Sequence, residues 1–255
     1  MCGKPAENVK RTDGAGAKTD DLFGGPAARG RYLSVPLETP VTDTPPPHSR
    51  KLRPYEHAPR LPEGERVDAR ELVRGEWLEL EVGPGRGGFI TERLVAEPRC
   101  GVVGLEVRRK WATIVDDRVK KRGDLGGRGR VFAEDAKDAM VRLGPNGVFR
   151  RAFLHFPDPW WKKRHQKRLV MGDVFLAEVA RLLAPGGDLY VQTDVEERAA
   201  QYEAQIDGSG WFEPAGDQPG SPRLAENPFG ARSPRERRAI TDGLPVYRML
   251  FRRKA

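Results

Sequence analysis

The sequence predicts a doubly wound α/β fold: a mostly parallel sheet with helices on both faces, preceded by an irregular N-terminal extension. Three observations predict it. Strand-like and helix-like apolar patterns alternate from Trp77 onward. A glycine-rich turn follows the first strand directly. Acidic residues then recur at the ends of successive strands.

The elements follow in order. Trp77, Leu78, Leu80 and Val82 form the first strand, and Gly83 to Gly88 a tight turn. Phe89, Ile90, Leu94 and Val95 have helical spacing. Val102 to Val107 is a second strand, followed by a helix through Trp111, Ile114, Val115 and Val119. Glycine-dense residues 123–130 end that helix, and Val131 to Ala133 is a third strand. Ala152 to Phe156 is a fourth strand. Asp173 is expected to cap the next helix, which Pro185-Gly186-Gly187 stops. Leu189 to Gln192 is a fifth strand, Val195 to Ile206 a helix, and Val246 to Arg252 a last strand.

Residues 1–70 read as a separate irregular extension and 71–255 as the folded domain. The extension is rich in Pro, Gly and Ala, with Pro45-Pro46-Pro47 at its centre. It carries too little apolar surface to offset its ordering entropy. Across 255 residues, 45 Lys and Arg stand against 37 Asp and Glu, a formal charge of +8. That balance favours a polyanionic partner. Two cysteines, Cys2 and Cys100, argue against a disulfide framework, and no CxxC pair suggests a metal site. With no apolar run suited to a signal or a membrane span, a cytoplasmic protein without a membrane partner is expected, as monomer or homodimer.

Gly83, Gly85 and Gly88 satisfy G-x-G-x-x-G between a strand and its helix. Alone, such a turn is as well explained by chain geometry. Glu106, about twenty residues on at the end of the second strand, suits ribose hydroxyls. Asp135 lies just after the third strand. With Glu81 these acids would face one crevice, although each alone reads as a cap or a solvated loop residue. A nicotinamide dinucleotide and S-adenosylmethionine both fit this pattern. Glu81 favours the cationic ligand over a diphosphate.

The segment Phe156-Pro157-Asp158-Pro159-Trp160-Trp161-Lys162-Lys163-Arg164 follows the fourth strand. Two prolines stiffen the loop that displays Asp158 and bias their neighbours toward extended backbone. Indoles stack on bases, and basic side chains track phosphates.

With this segment the chain resembles the bacterial single-chain transfer RNA (guanine-N7)-methyltransferases. The matching residues are Glu81-Val82-Gly83-Pro84-Gly85, Gly104 to Val107, Asp135-Ala136, Phe156 to Arg168, Pro185 to Gly187, Thr193-Asp194 and Ser233 to Phe251. The resemblance implies a Rossmann-like, class I S-adenosylmethionine-dependent methyltransferase acting on a guanine in the variable loop of transfer RNA. It implies that Glu81, Gly83, Gly85, Glu106, Asp135 and Asp158 bind S-adenosylmethionine. It further implies that Asp158 is the active-site carboxylate and that Lys162, Asp194, Ser233 and Glu236 bind the RNA. One departure stands out: the family's Thr-Lys-Tyr/Phe-Glu is here Ser233-Pro234-Arg235-Glu236. That stretch also reads as a helix-capping box with Pro at the first helical position, and Asp194-Val195-Glu196-Glu197 reads as a second capping box. Three other readings are a nicotinamide-dependent oxidoreductase, a non-catalytic RNA-binding protein on the same fold, and a methyltransferase for protein or a small molecule.

Overall fold

A computed structural model describes residues 54–157 and 170–255. Asp158, Lys162, both tryptophans of that segment and the basic run after them lie outside the described residues. The same holds for residues 1–53.

The core of the fold is a parallel sheet. β2 (Trp77–Val82) pairs with β3 (Cys100–Leu105), which pairs with β4 (Gly129–Phe132). On its other side β2 pairs with β6 (Phe149–His155), and β6 with β7 (Leu183–Thr193). These contacts are all parallel. β10 (Tyr247–Arg253) then adds antiparallel to β7, and β8 (Phe212–Pro214) antiparallel to β10. The order is β4-β3-β2-β6-β7-β10-β8, with the short β9 (Arg223–Leu224) beside β10. Helices α2 (Gly88–Ala96), α3 (Arg109–Lys121), α5 (Asp173–Leu182) and α6 (Glu196–Gly208) cross between strands. Parallel neighbours need such crossovers, which is why the apolar pattern switches from period two to 3.6.

β2 is buried on both faces for two different reasons. Leu78, Leu80 and Val82 enter the larger apolar core with Val103, Leu154 and Val191. Glu79 and Glu81 point to the opposite face, and both are buried. Glu79 accepts two 2.8 Å hydrogen bonds from Arg93 of α2 and one of 3.0 Å from Arg151 of β6. A fully buried carboxylate needs such partners, because breaking a buried pair costs about 3–5 kcal/mol. The strand's alternation is therefore not apolar against solvent: its second face binds α2 through charge.

Several elements depart from expectation. Asp173 is the first residue of α5, not its cap; the cap position is Gly172, with no side-chain hydrogen bond. Pro185-Gly186-Gly187 does not end the helix, which stops at Leu182, but forms a bend inside β7. The pairing of β6 with β7 shifts register between Phe149 and Arg151, so the bend takes up the extra residues. Asp194 does not cap α6; that cap is Val195, without a side-chain bond. Phe156 precedes Pro157 yet is not extended: its φ is 46°, the left-handed region. Its N–H still donates to Gln192 O at 2.8 Å, so the β6–β7 ladder runs up to the residue at which the backbone turns left-handed. A bulky residue held there costs of order 1–3 kcal/mol, a cost found most often at functional sites.

Residues 54–70, placed in the extension by composition, run against the end of β4. Pro59 O accepts from Ala133 N at 2.6 Å, and Leu61 N donates to Glu134 Oε1 at 3.1 Å. Arg60 pairs with Glu134 at 2.9 Å, and Arg142 donates to Gly64 O and Pro62 O. β1 (Val67–Asp68) pairs with β5 (Leu143–Gly144), and α1 (Ala69–Leu72) follows. Ala58, Leu61 and Val67 are buried. The helix α4 (Ala136–Arg142) is short, and no sequence periodicity marked it. Among the described residues no helix is long and apolar enough to cross a membrane.

Candidate functional site: a crevice at the carboxyl ends of β2, β3 and β6

The strand order reverses at β2: β3 and β4 lie to one side, β6 and β7 to the other. Open α/β sheets bind ligands at such a point, beyond the carboxyl ends of the strands. Here a crevice opens with two lobes that share Gly83, Arg108, His155, Phe156 and Pro157. One lobe, about 650 Å³, includes Glu106, Glu134 and Asp135. The other, about 560 Å³, includes Glu81, Asp194, Ser233 and Arg235. Both lie in the size range of small-molecule sites.

The floor between them is the turn Gly83 to Gly87. Gly83 has φ +74° and Gly85 φ +55°, and a Cβ at Gly83 would meet nothing within 4 Å. These glycines serve backbone conformation and leave open space over the turn. Gly88 serves close approach instead: a Cβ there would lie 2.7 Å from Pro234 Cδ. This contact brings α7 (Pro234–Thr241) over the start of α2 and carries Ser233 to the crevice.

Three of the predicted acids, Glu81, Glu106 and Asp135, line the crevice, each held differently. Glu81, one residue before the end of β2, is 1 % exposed. Its Oε1 lies 3.2 Å from His155 Nδ1, and Oε2 is buried with no hydrogen-bond partner. Burial pushes its pKa up, the His155 hydrogen bond and charge pull it down, nearby Glu106 pushes it up again, and the Ile90 backbone N–H at the start of α2 pulls it down. Glu106 is also buried; its Oε2 accepts from Gly85 N at 2.8 Å and its Oε1 from Arg108 N at 2.9 Å. It therefore fixes the glycine turn that it faces. Asp135 caps α4, accepting from Lys137 N at 3.0 Å, and is exposed.

The second lobe gathers the other predictions unequally. Asp194 pairs with Arg235 through Arg235 Nε at 3.0 Å and through Nη2. Arg235 occupies the altered stretch, so the departure from the family pattern places a cation on Asp194. Ser233 caps α7, its Oγ accepting from Glu236 N at 3.1 Å. Glu236 is fully buried and does not line either lobe. Its Oε1 accepts from Arg248 Nε at 3.1 Å, and its Oε2 from Asn227 at 3.0 Å.

His155 and Arg108 line both lobes but had no place in the sequence reading. His155 ends β6 in the apolar run Ala152 to Phe156. Its position two residues after Phe153 gives it the strand face of Glu81, but only the β2–β6 register reveals that.

A glycine cradle, buried carboxylates at the ends of parallel strands and a second lobe beside them define a nucleoside-binding α/β protein. Comparison with known proteins narrows this class. Residues 76–249 match the family described as "Putative methyltransferase". A tRNA (guanine-N(7)-)-methyltransferase of Myxococcus xanthus is 36% identical over 173 residues, covering 67% of this chain and 81% of that protein. Its counterpart in Anaeromyxobacter dehalogenans is 39% identical, covering 69% and 85%. That of Synechococcus sp. (strain JA-3-3Ab) is 30% identical over 226 residues, covering 88% and 91%. The chain belongs to the tRNA (guanine-N7)-methyltransferase family.

Proposed function

We propose that the protein transfers a methyl group from S-adenosylmethionine to N7 of a guanine in the variable loop of transfer RNA. The observation that carries this reading is Glu81 Oε2, a buried carboxylate oxygen without a partner beside an open glycine cradle. Such an atom is costly unless a ligand completes it. A cation fits it, and a diphosphate does not. The Gly85 N–H, of the kind that cradles a diphosphate, is moreover occupied by Glu106.

The residues present therefore fit S-adenosylmethionine. Glu81 would hold its cationic amino-acid end, Gly83 and Gly85 would admit its backbone-facing edge, and Glu106 and Asp135 would serve the ribose and base. When bound, the cofactor supplies an electrophilic methyl group on a sulfonium.

Guanine N7 has a lone pair and no proton, so the site needs no general base for it. What the protein supplies is alignment of two reactants and charge complementary to a purine ring turning cationic. Asp158 follows Pro157, which lines both lobes, and is the carboxylate assigned to this task. Asp194 and Ser233 line the lobe that would take the guanine, with Lys162 on the RNA backbone. Glu236 would act on RNA only through the Ser233 turn that it anchors.

The test is incubation of the protein with methyl-labelled S-adenosylmethionine and an unmodified transfer RNA transcript, followed by nucleoside analysis. Label in 7-methylguanosine is expected. Tight NADH binding with no methyl transfer would instead select the oxidoreductase reading.

A further inference from the structure

We propose that His155 is a positioning residue: its Nδ1–H fixes one oxygen of Glu81 so that the other faces the crevice and the cationic end of the cofactor. The inference rests on the reading of Glu81 as a cofactor ligand.

The geometry leaves His155 little freedom. Its ring centroid lies 4.2 Å from that of Phe89, 5.8 Å from Phe153 and 5.9 Å from Tyr190. Phe89 comes from α2, and the other two from β6 and β7, so aromatic contacts clamp the ring from both sheet and helix. The clamp leaves Nδ1 on Glu81 Oε1 at 3.2 Å, with both side chains almost wholly buried. An ionised Glu81 can only accept, so Nδ1 carries the proton. Nε2 then has a lone pair; it is buried without a partner among the described residues, as are both side-chain polar atoms of Gln192, its register neighbour on β7.

Without this donor the carboxylate would lose its side-chain hydrogen bond and keep only the backbone contact from Ile90. It would also lose an interaction that favours its charged form in a dry site, where burial and Glu106 both oppose charge. Arg86, Arg108 and Arg235 border the same crevice, but Arg108 pairs with Glu106, Arg235 with Asp194, and Arg86 lies over the Trp111 ring. Among the described side chains His155 is the one that hydrogen-bonds Glu81, with the Ile90 backbone N–H also favouring its charged form.

Calorimetric titration of S-adenosylhomocysteine into wild type, Glu81→Gln, His155→Phe, His155→Asn, His155→Gln and the double variant Glu81→Gln/His155→Phe tests this. Phe keeps the aromatic packing and removes the donor. It is expected to weaken binding roughly 10- to 100-fold, the range for a lost hydrogen bond to a charged group. Asn can place an N–H where Nδ1 stands and should recover most of the affinity; Gln places its amide where Nε2 stands and should not. On the Glu81→Gln background the Phe substitution should add little. In turnover, KM for the cofactor should rise while KM for transfer RNA stays unchanged. Wild-type affinity in His155→Phe with weakened Glu81→Gln overturns the role of His155 alone. Wild-type affinity in Glu81→Gln overturns the Glu81 reading and His155 with it. If His155→Phe does not fold, equal affinities for the Asn and Gln variants overturn the proposal.

Discussion

Replacing Glu236 with Ala separates two jobs that this residue could perform. Its carboxylate is fully buried and bonded to Arg248 and Asn227. Arg248 is itself 8 % exposed and also donates to Ala225 O at 3.0 Å. Removing Glu236 would leave the Arg248 guanidinium buried with no counter-charge, a change that costs about 3–5 kcal/mol. For a folded unit of this size each kcal/mol moves Tm by about 2–4 °C, so the midpoint should fall by roughly 6–20 °C. Thermal denaturation followed by circular dichroism reads this directly. A Glu236→Ala/Arg248→Met double variant should regain much of the loss, because a buried pair replaced whole is far less costly than one broken. Transfer RNA affinity, measured well below the lowered midpoint, should fall less than the stability does. A Glu236→Ala protein that melts with the wild type and yet loses transfer RNA would show instead that the carboxylate serves RNA and not Arg248.

Other outcomes follow from the same geometry. Below the ordinary carboxylate pKa, Glu81 is neutral in folded and unfolded chains alike, and its burial has no electrostatic cost. As pH rises through its raised folded-state value that stability is lost, so the ligand-free wild type should lose Tm relative to Glu81→Gln across this window; a pH-independent gap in scanning fluorimetry would contradict it. Removing residues 1–53 should leave S-adenosylhomocysteine affinity unchanged, whereas removal through residue 66 should weaken it, because Arg60 and Leu61 hold Glu134 in the crevice wall; equal affinities would deny that coupling. Burial pushes the Cys100 thiol up to about 12, so iodoacetamide treatment of the native protein should leave its tryptic peptide unmodified, with modification appearing only on unfolding.

The elements legible in the sequence were those whose periodicity reflects burial. Leu78, Leu80 and Val82 mark β2 because every second side chain meets the same apolar core. α4 escaped notice because seven residues span barely two turns, with Ala136, Ala139 and Met140 as its only buried side chains. Residues 54–70 were hidden for another reason. Their hydrogen bonds and ion pairs to Ala133, Glu134 and Arg142 leave no apolar pattern, and the apolar residues they do bury, Ala58, Leu61, Val67 and Ala69, are too widely spaced to mark an element.

The candidate site shows the same division. Glu81, Gly83, Gly85 and Glu106 were readable because strand ends and turns have fixed spacing. The partners of these residues were not. That Glu106 clasps Gly85, that Arg235 covers Asp194 and that Glu236 belongs to Arg248 are facts of tertiary approach between elements far apart in the chain. His155 was invisible for the same cause: its neighbour Glu81 lies 74 residues away and meets it only through strand register.

The position of the modified base in the RNA decides whether the protein is a variable-loop guanine-N7 methyltransferase. Transfer RNA transcript treated with the protein and S-adenosylmethionine would be reduced with borohydride and cleaved with aniline, which cuts the strand at 7-methylguanosine. One new cut is expected, in the variable loop, absent when that guanine is replaced by adenine. Methyl incorporation with no such cut, or a cut elsewhere, would contradict that assignment.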